Sequence, residues 1–153
     1  MKKMLMLLVV TLTCQLAFCQ THQDIIEKYK GMAGVEFNEL PKELLQLAAA
    51  GADANTKEIL NRIEVLKLLQ VNNGDEQLIS DILADVKKLE IRYNKLAEEN
   101  DEGNITMAYI YGDDDYAEAM VVVQASSSTL QFIVLEGKIK MSDLESLGSV
   151  MGD

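Results

Sequence analysis

No tryptophan, one proline, one histidine and two cysteines leave this 153-residue chain few chemical tools. Both cysteines, Cys14 and Cys19, stand in the first nineteen residues. A mature chain without that segment has no disulfide, no thiol nucleophile and no cysteine-based metal site. His22 alone cannot complete a Ser-His-Asp triad or a tetrahedral zinc site unless distant parts of the fold reach it. It sits beside the expected new N-terminus, where chain ends are usually loose, and is read as exposed and chemically idle. Positive charge is also scarce, with 14 basic residues against 25 acidic ones. Without Lys2 and Lys3 the formal charge becomes −13. Such a surface repels phosphate backbones, and with no basic stripe along the chain no nucleic-acid partner is expected. The acidity is read as a solvated, soluble surface.

The front of the chain has an export layout. Met1-Lys2-Lys3 is a short basic start, and Met4 to Phe18 is apolar except for Thr11, Thr13, Cys14 and Gln15. This is the pattern of a secretory signal peptide. A membrane-crossing helix needs about 20 consecutive apolar residues, and the polar Gln20-Thr21-His22-Gln23-Asp24 arrives too soon for one. Ala17-Phe18-Cys19 puts small residues one and three positions before a cut between Cys19 and Gln20. The expected organisation is a signal peptide over residues 1–19 and a single domain over 20–153. Two other readings remain: Leu16-Ala17-Phe18-Cys19 as a lipobox with Cys19 acylated, against which bulky Phe18 counts, or an uncleaved anchor. Membrane attachment is expected only if Cys19 is lipidated.

Behind the leader, Thr21 and Asp24 ahead of Ile25-Ile26 mark a helix start, with the helix running to Lys30. Val35 to Leu40 alternates as a half-buried strand. Pro41 suits the first turn of a helix whose apolar face is Leu44, Leu45, Leu47 and Ala48. Residues 51–56 read as a loop, and Ile59 to Gln70 fits helix and strand periodicity alike. Asn72-Asn73-Gly74-Asp75 is a turn that launches a helix with Leu78, Ile79, Ile82, Leu83, Val86 and Leu89 on one face. From Ile91 the pattern is β-like. A strand holding Ile91, Tyr93 and Leu96 leads to a hairpin turn at Asn100-Asp101-Glu102-Gly103, and Ile105, Met107, Tyr109 and Tyr111 alternate beyond it. Met120 to Val123 is a central-strand run, and Leu130, Phe132 and Val134 belong to the last strand. Ser142 and Glu145 have capping-box spacing ahead of Leu144 and Leu147. Helices first and a strand meander second imply an α+β domain of two layers, a largely antiparallel sheet packed on helices, ferredoxin-like in spirit.

Few motifs invite chemistry. Asp113-Asp114-Asp115 lacks the alternate spacing of calcium loops and reads as a solvated hairpin tip. Ser126-Ser127-Ser128 has no G-x-S-x-G turn around it and reads as loop. Tyr93, Tyr109, Tyr111 and Tyr116 have no interleaved basic residues and read as cross-strand packing and strand-face residues. No catalytic, cofactor-binding or metal-ligating residue is assigned, and no cofactor is expected.

The stretches "IIEKYKGMAGVEFNELPKELLQL", "RIEVLKLL", "YNKLAEENDEGNITMAYIYGD" and "LQFIVLEGKIKMSDLESL", together with the leader, resemble domain-of-unknown-function family 4252, small exported proteins of the Bacteroidetes. The resemblance covers nearly the whole mature chain, favours a strand over Ile63 to Leu69, and brings no catalytic residues. It implies an envelope protein, in some relatives lipid-anchored and loosely associated with extracytoplasmic sigma factors.

The expected function is therefore a non-catalytic binding or interaction protein, periplasmic or extracellular, whose partner is an unidentified protein or small ligand of the envelope. Alternatives are a regulatory partner in envelope-stress signalling and a hydrolase using dispersed carboxylates. The hydrolase would need a pocket holding two acids with raised pKa values.

Overall fold

A computed structural model of the chain describes residues 20–144. The signal-peptide reading of residues 1–19, and Glu145 and Leu147 of the expected last helix, lie outside them. Helix α1 (His22–Tyr29) starts on the capping box foreseen from Thr21 and Asp24: each side chain accepts from the other residue's backbone N–H. Strand β1 (Val35–Pro41) follows, and Pro41 is both its last residue and the N-cap of helix α2 (Lys42–Ala48). Only Leu45 of α2 is buried; Leu44 and Leu47 are exposed, so the four-residue apolar face expected for this helix is not its packing face. A seven-residue helix lying against a sheet covers one narrow stripe, here Leu45 and the following Ala49 at i+4.

The loop expected over residues 51–56 stops at Asp53, because its carboxylate caps a helix that begins at Ala54, and the ambiguous stretch Ile59–Gln70 divides between that helix and a strand. Asp53 caps helix α3 (Ala54–Arg62) by accepting from the backbone N–H groups of Asn55 and Thr56, and strand β2 (Ile63–Val71) begins at once. Both periodicities were present because both elements are. Asp75 caps helix α4 (Glu76–Lys87), which tightens into a 3₁₀ turn over Lys88–Ile91. The backbone N–H groups of Arg92 and Tyr93 donate to Leu89 O, so Ile91 and Tyr93 end the helical segment and do not open the strand expected there. Strand β3 (Asn94–Asp101), β4 (Asn104–Gly112), β5 (Tyr116–Ala125) and β6 (Leu130–Lys140) complete the chain's α+β fold.

The six strands form one open antiparallel sheet in the order β1-β2-β6-β5-β4-β3. β3 to β6 are a meander of neighbours in sequence, and β1–β2 is a second local pair, stitched to it where Leu69 faces Phe132 and Val71 faces Leu130. One face carries Leu69, Val71, Met107, Tyr109, Val121, Val123, Phe132 and Val134 against Ile25, Ile26 and Tyr29 of α1 and Ile79, Ile82 and Val86 of α4. The other carries Ile110, Met120, Val122, Leu135 and Ile139 with Leu45 of α2 and, more loosely, Leu60 of α3. β5 has apolar neighbours on both faces, which is why its sequence reads as a continuous apolar run.

Glu102 and Gly103 occupy the left-handed region at φ 48° and 88°, giving β3–β4 a two-residue hairpin turn with Asp101 opposite Asn104. Gly137 sits where β6 passes the α3–β2 junction so closely that a Cβ there would lie 2.2 Å from Arg62 O. Among the described residues no helix is long and apolar enough to cross a membrane.

Candidate functional site

Two polar clusters and one groove stand out, and all lie on the α1/α4 side of the sheet. The first cluster is built on Asp85, the one buried charged residue among those described. It sits on the flank of the apolar stripe of α4 and faces α1. Its Oδ2 accepts from Lys28 Nζ at 2.6 Å and from the Tyr29 hydroxyl at 2.8 Å, and its Oδ1 from Lys88 Nζ at 2.6 Å. Burial pushes the Asp85 carboxyl up, but the hydrogen bonds from Lys28, Lys88 and Tyr29 outweigh it and hold the group well below the usual carboxylate range. The hydrogen bond to Asp85 raises Lys28 in turn. Both lysine ammonium groups stay half in water, so their charge is solvated on one side and used on the other.

The second cluster corrects the reading of His22 as an exposed terminal residue. Its side chain is 13% exposed. Nδ1 lies 2.7 Å from the Tyr93 hydroxyl and Nε2 lies 2.7 Å from Glu136 Oε1. Lys67 Nζ reaches the same Glu136 oxygen at 2.7 Å and Gln23 Oε1 at 3.0 Å. The neutral ring satisfies this arrangement when Nε2–H donates to Glu136 and Nδ1 accepts from the Tyr93 O–H. Burial pushes the Glu136 carboxyl up, and the Lys67 and His22 hydrogen bonds more than offset that, leaving it below its ordinary value. Burial also raises the Tyr93 phenol. The connectivity phenol–imidazole–carboxylate is that of a nucleophile, its base and an orienting acid. Yet Tyr93 is only 5% exposed, and its pKa is displaced away from nucleophilicity. Chemically the cluster is a clamp: it fastens the first turn of α1 to the 3₁₀ end of α4, to β2 and to β6.

The groove lies between α4 and the sheet edge. Its volume is about 290 Å³, with Leu83, Ile105 and Met107 at its apolar floor and Ser80, Lys87 and Glu98 among its walls. All eight residues of the edge strand β3 beside it are exposed. A bulge between Lys95 and Ala97 splits that strand, and beyond it Glu98 to Asp101 pairs regularly with β4.

The Asp and Ser runs singled out earlier close turns as expected, whereas Tyr93 lies just past the 3₁₀ turn and not on a strand. The Asp113 carboxylate accepts from the backbone N–H groups of Asp115 and Tyr116, closing the β4–β5 turn. Ser126 accepts in the same way from Ser128 and Thr129 in the β5–β6 loop. Tyr109 is buried, its phenol pushed up to about 12 by burial and by Glu90, whereas Tyr111 is exposed and lies 5.3 Å from the Tyr93 ring. Gln20, on the expected cleavage boundary, is half-buried, and Cys19 lies outside the described residues. Neither polar cluster was found from sequence, although Asp85, placed between Ile82 and Val86 on a buried stripe, was a detectable anomaly.

A family profile described as "Domain of unknown function (DUF4252)" matches residues 29–147. The chain belongs to the DUF4252 family. No curated protein and no solved structure matches it. The matched range of this DUF4252 chain includes Asp85, Tyr93, Lys67, Glu136 and the whole β3 groove, and leaves out His22 and most of α1.

Proposed function

We propose that this protein is an exported, non-catalytic binding protein of the cell envelope that acts by holding a partner. The observation that carries the reading is the open sheet edge: a fully exposed strand, β3, with an apolar-floored groove beside it and Ile91 and Leu96 bare to solvent. Large exposed apolar groups next to an unpaired strand edge are what a protein-binding surface offers. The chemistry of the two polar clusters supports the same reading. A carboxylate-dependent hydrolase needs an acid with a raised pKa, and both Asp85 and Glu136 are held as anions by lysines. Export follows from the basic start, the apolar run and the small-residue cut site before Gln20, with acylation at Cys19 as the alternative.

Cell fractionation with intact-mass measurement, combined with photocrosslinking in living cells from Leu47, Ile91 or Leu96, tests this. The expected result is a chain starting at Gln20 in the envelope or the medium, crosslinked to a partner. A full-length cytoplasmic product, or a chain that crosslinks only within itself from all three positions, overturns the proposal.

A further inference from the structure

We infer that the regular half of β3, Glu98 to Asp101, receives an extended segment of a partner protein carrying alternating cationic and apolar residues, which adds to the sheet as a seventh strand. The inference rests on the interaction-protein reading above and names its surface and the partner's chemistry. In an antiparallel ladder closed by a two-residue turn, the pair flanking the turn exchanges hydrogen bonds and the next pair does not. With Asp101 opposite Asn104 and Glu99 opposite Thr106, the backbone N–H and C=O groups of Glu98 and Asn100 therefore point away from β4, toward the open edge. Those two residues also line the groove, so an added strand brings every second side chain over Leu83, Ile105 and Met107. A groove of about 290 Å³ falls at the small end of ligand pockets, about 300–1,000 Å³, and suits aliphatic side chains of a strand.

Charge decides the occupant. Glu98 is already engaged by Lys95 at 2.7 Å and more loosely by Lys87 at 3.7 Å. Glu99, Asp101 and Glu102 have no lysine or arginine partner among the described residues. Glu99 also borders the groove, but by the alternation of the strand its side chain and that of Asp101 leave the sheet on the face opposite Ile105 and Met107, where alternate residues of an incoming strand would meet them. Opposite charges in cross-strand register are favourable and like charges are not. A second copy pairing antiparallel through the same segment would set acid against acid, so a cationic partner fits and self-pairing does not. The bulge at Lys95–Ala97 guards the other half of the strand, and Lys95 reaches into the regular half only at Glu98.

The probe is a short fluorescein-labelled peptide alternating lysine with valine, compared with the same peptide carrying glutamate for lysine, in anisotropy titrations and amide NMR of the chain from Gln20. The expected result is binding of the lysine peptide with shifts confined to Glu98–Asp101, Leu83 and Ile105. Asn100→Pro removes an outward N–H without touching the ladder and should weaken binding by roughly tenfold or more at unchanged circular dichroism. Glu99→Lys, a surface change that any properly folded variant tolerates, should move the preference toward the glutamate peptide. No binding, shifts mapping elsewhere, indifference to Asn100→Pro and Glu99→Lys, or a dimer that Asn100→Pro dissolves would each overturn the assignment. Failure here alongside a crosslinked partner at Leu47 removes only this surface, whereas crosslinks confined to the chain itself remove the interaction reading as well.

Discussion

Asp85→Ala tests whether the α1–α4 junction is held by its buried anion. The substitution removes two charge-assisted hydrogen bonds from Lys28 and Lys88 and one from the Tyr29 hydroxyl. A shielded bond to a charged group is worth about 1.5–3 kcal/mol, but both lysines are 56% exposed and regain water, so each counts as an exposed pair of about 0.5 kcal/mol. Tyr29 is 2% exposed and its hydroxyl would be left without a partner, which costs about 1–3 kcal/mol. The sum is a loss of about 3 kcal/mol, or roughly 10 °C in Tm for a domain of this size. Asp85→Asn keeps an acceptor for Tyr29 and should lose about half as much. The pH dependence has a definite sign. The folded pKa lies below the unfolded value of about 4, so Asp85 stabilises the fold fully above that value and loses its contribution as pH falls through the depressed one. Both variants should therefore show a flatter acid limb in urea unfolding from neutral to low pH. A Tm for Asp85→Ala within about 2 °C of the parent, or an unchanged acid limb, would refute the reasoning.

His22→Ala breaks the clamp to Tyr93 and Glu136 and should cost about 1–2 kcal/mol, read as faster amide exchange in α1 with α4 unaffected. Thr21→Ala removes the capping box and should cost about 1 kcal/mol by denaturant midpoint at unchanged slope. Gly137→Ala should cost about 2–3 kcal/mol in the same assay, because the added methyl meets Arg62 O and Ile63 Cα, which are backbone and cannot swing aside.

Local signals were the most readable part of this sequence. Thr21–Asp24, Asn72–Asp75 and the stripe from Ile79 to Leu89 each encode their element through contacts a few residues apart, and the structure places each where its chemistry puts it, whereas Pro41, expected inside the first helical turn, stands just ahead of it as an extended N-cap. The α+β class followed from their order. Ile59–Gln70 resisted because a helix and a strand abut at Arg62–Ile63 with no glycine or proline between them. Leu44 and Leu47 misled because apolar character says that a side chain can be buried, while which stripe of a short helix faces the sheet is decided by tertiary packing. The His22 clamp was invisible for a different reason: Tyr93 and Glu136 lie 71 and 114 residues along the chain from it, and only the sheet order brings them together. The same holds for the groove, since neither α4 nor β3 looks unusual alone.

The seam between β2 and β6 sets a timetable. Residues 63–71 need residues 130–137 as their hydrogen-bonding neighbours, so a chain emerging N-terminus first has its β1–β2 half waiting until nearly all the rest has appeared. Until then the flank of β2 that will receive β6 is a bare, apolar template. Joining across such a span comes late because the intervening loop must close first. Trimming Leu69 or Phe132 should therefore accelerate unfolding and hardly slow refolding, and any factor that escorts this protein while it matures has that flank to shield.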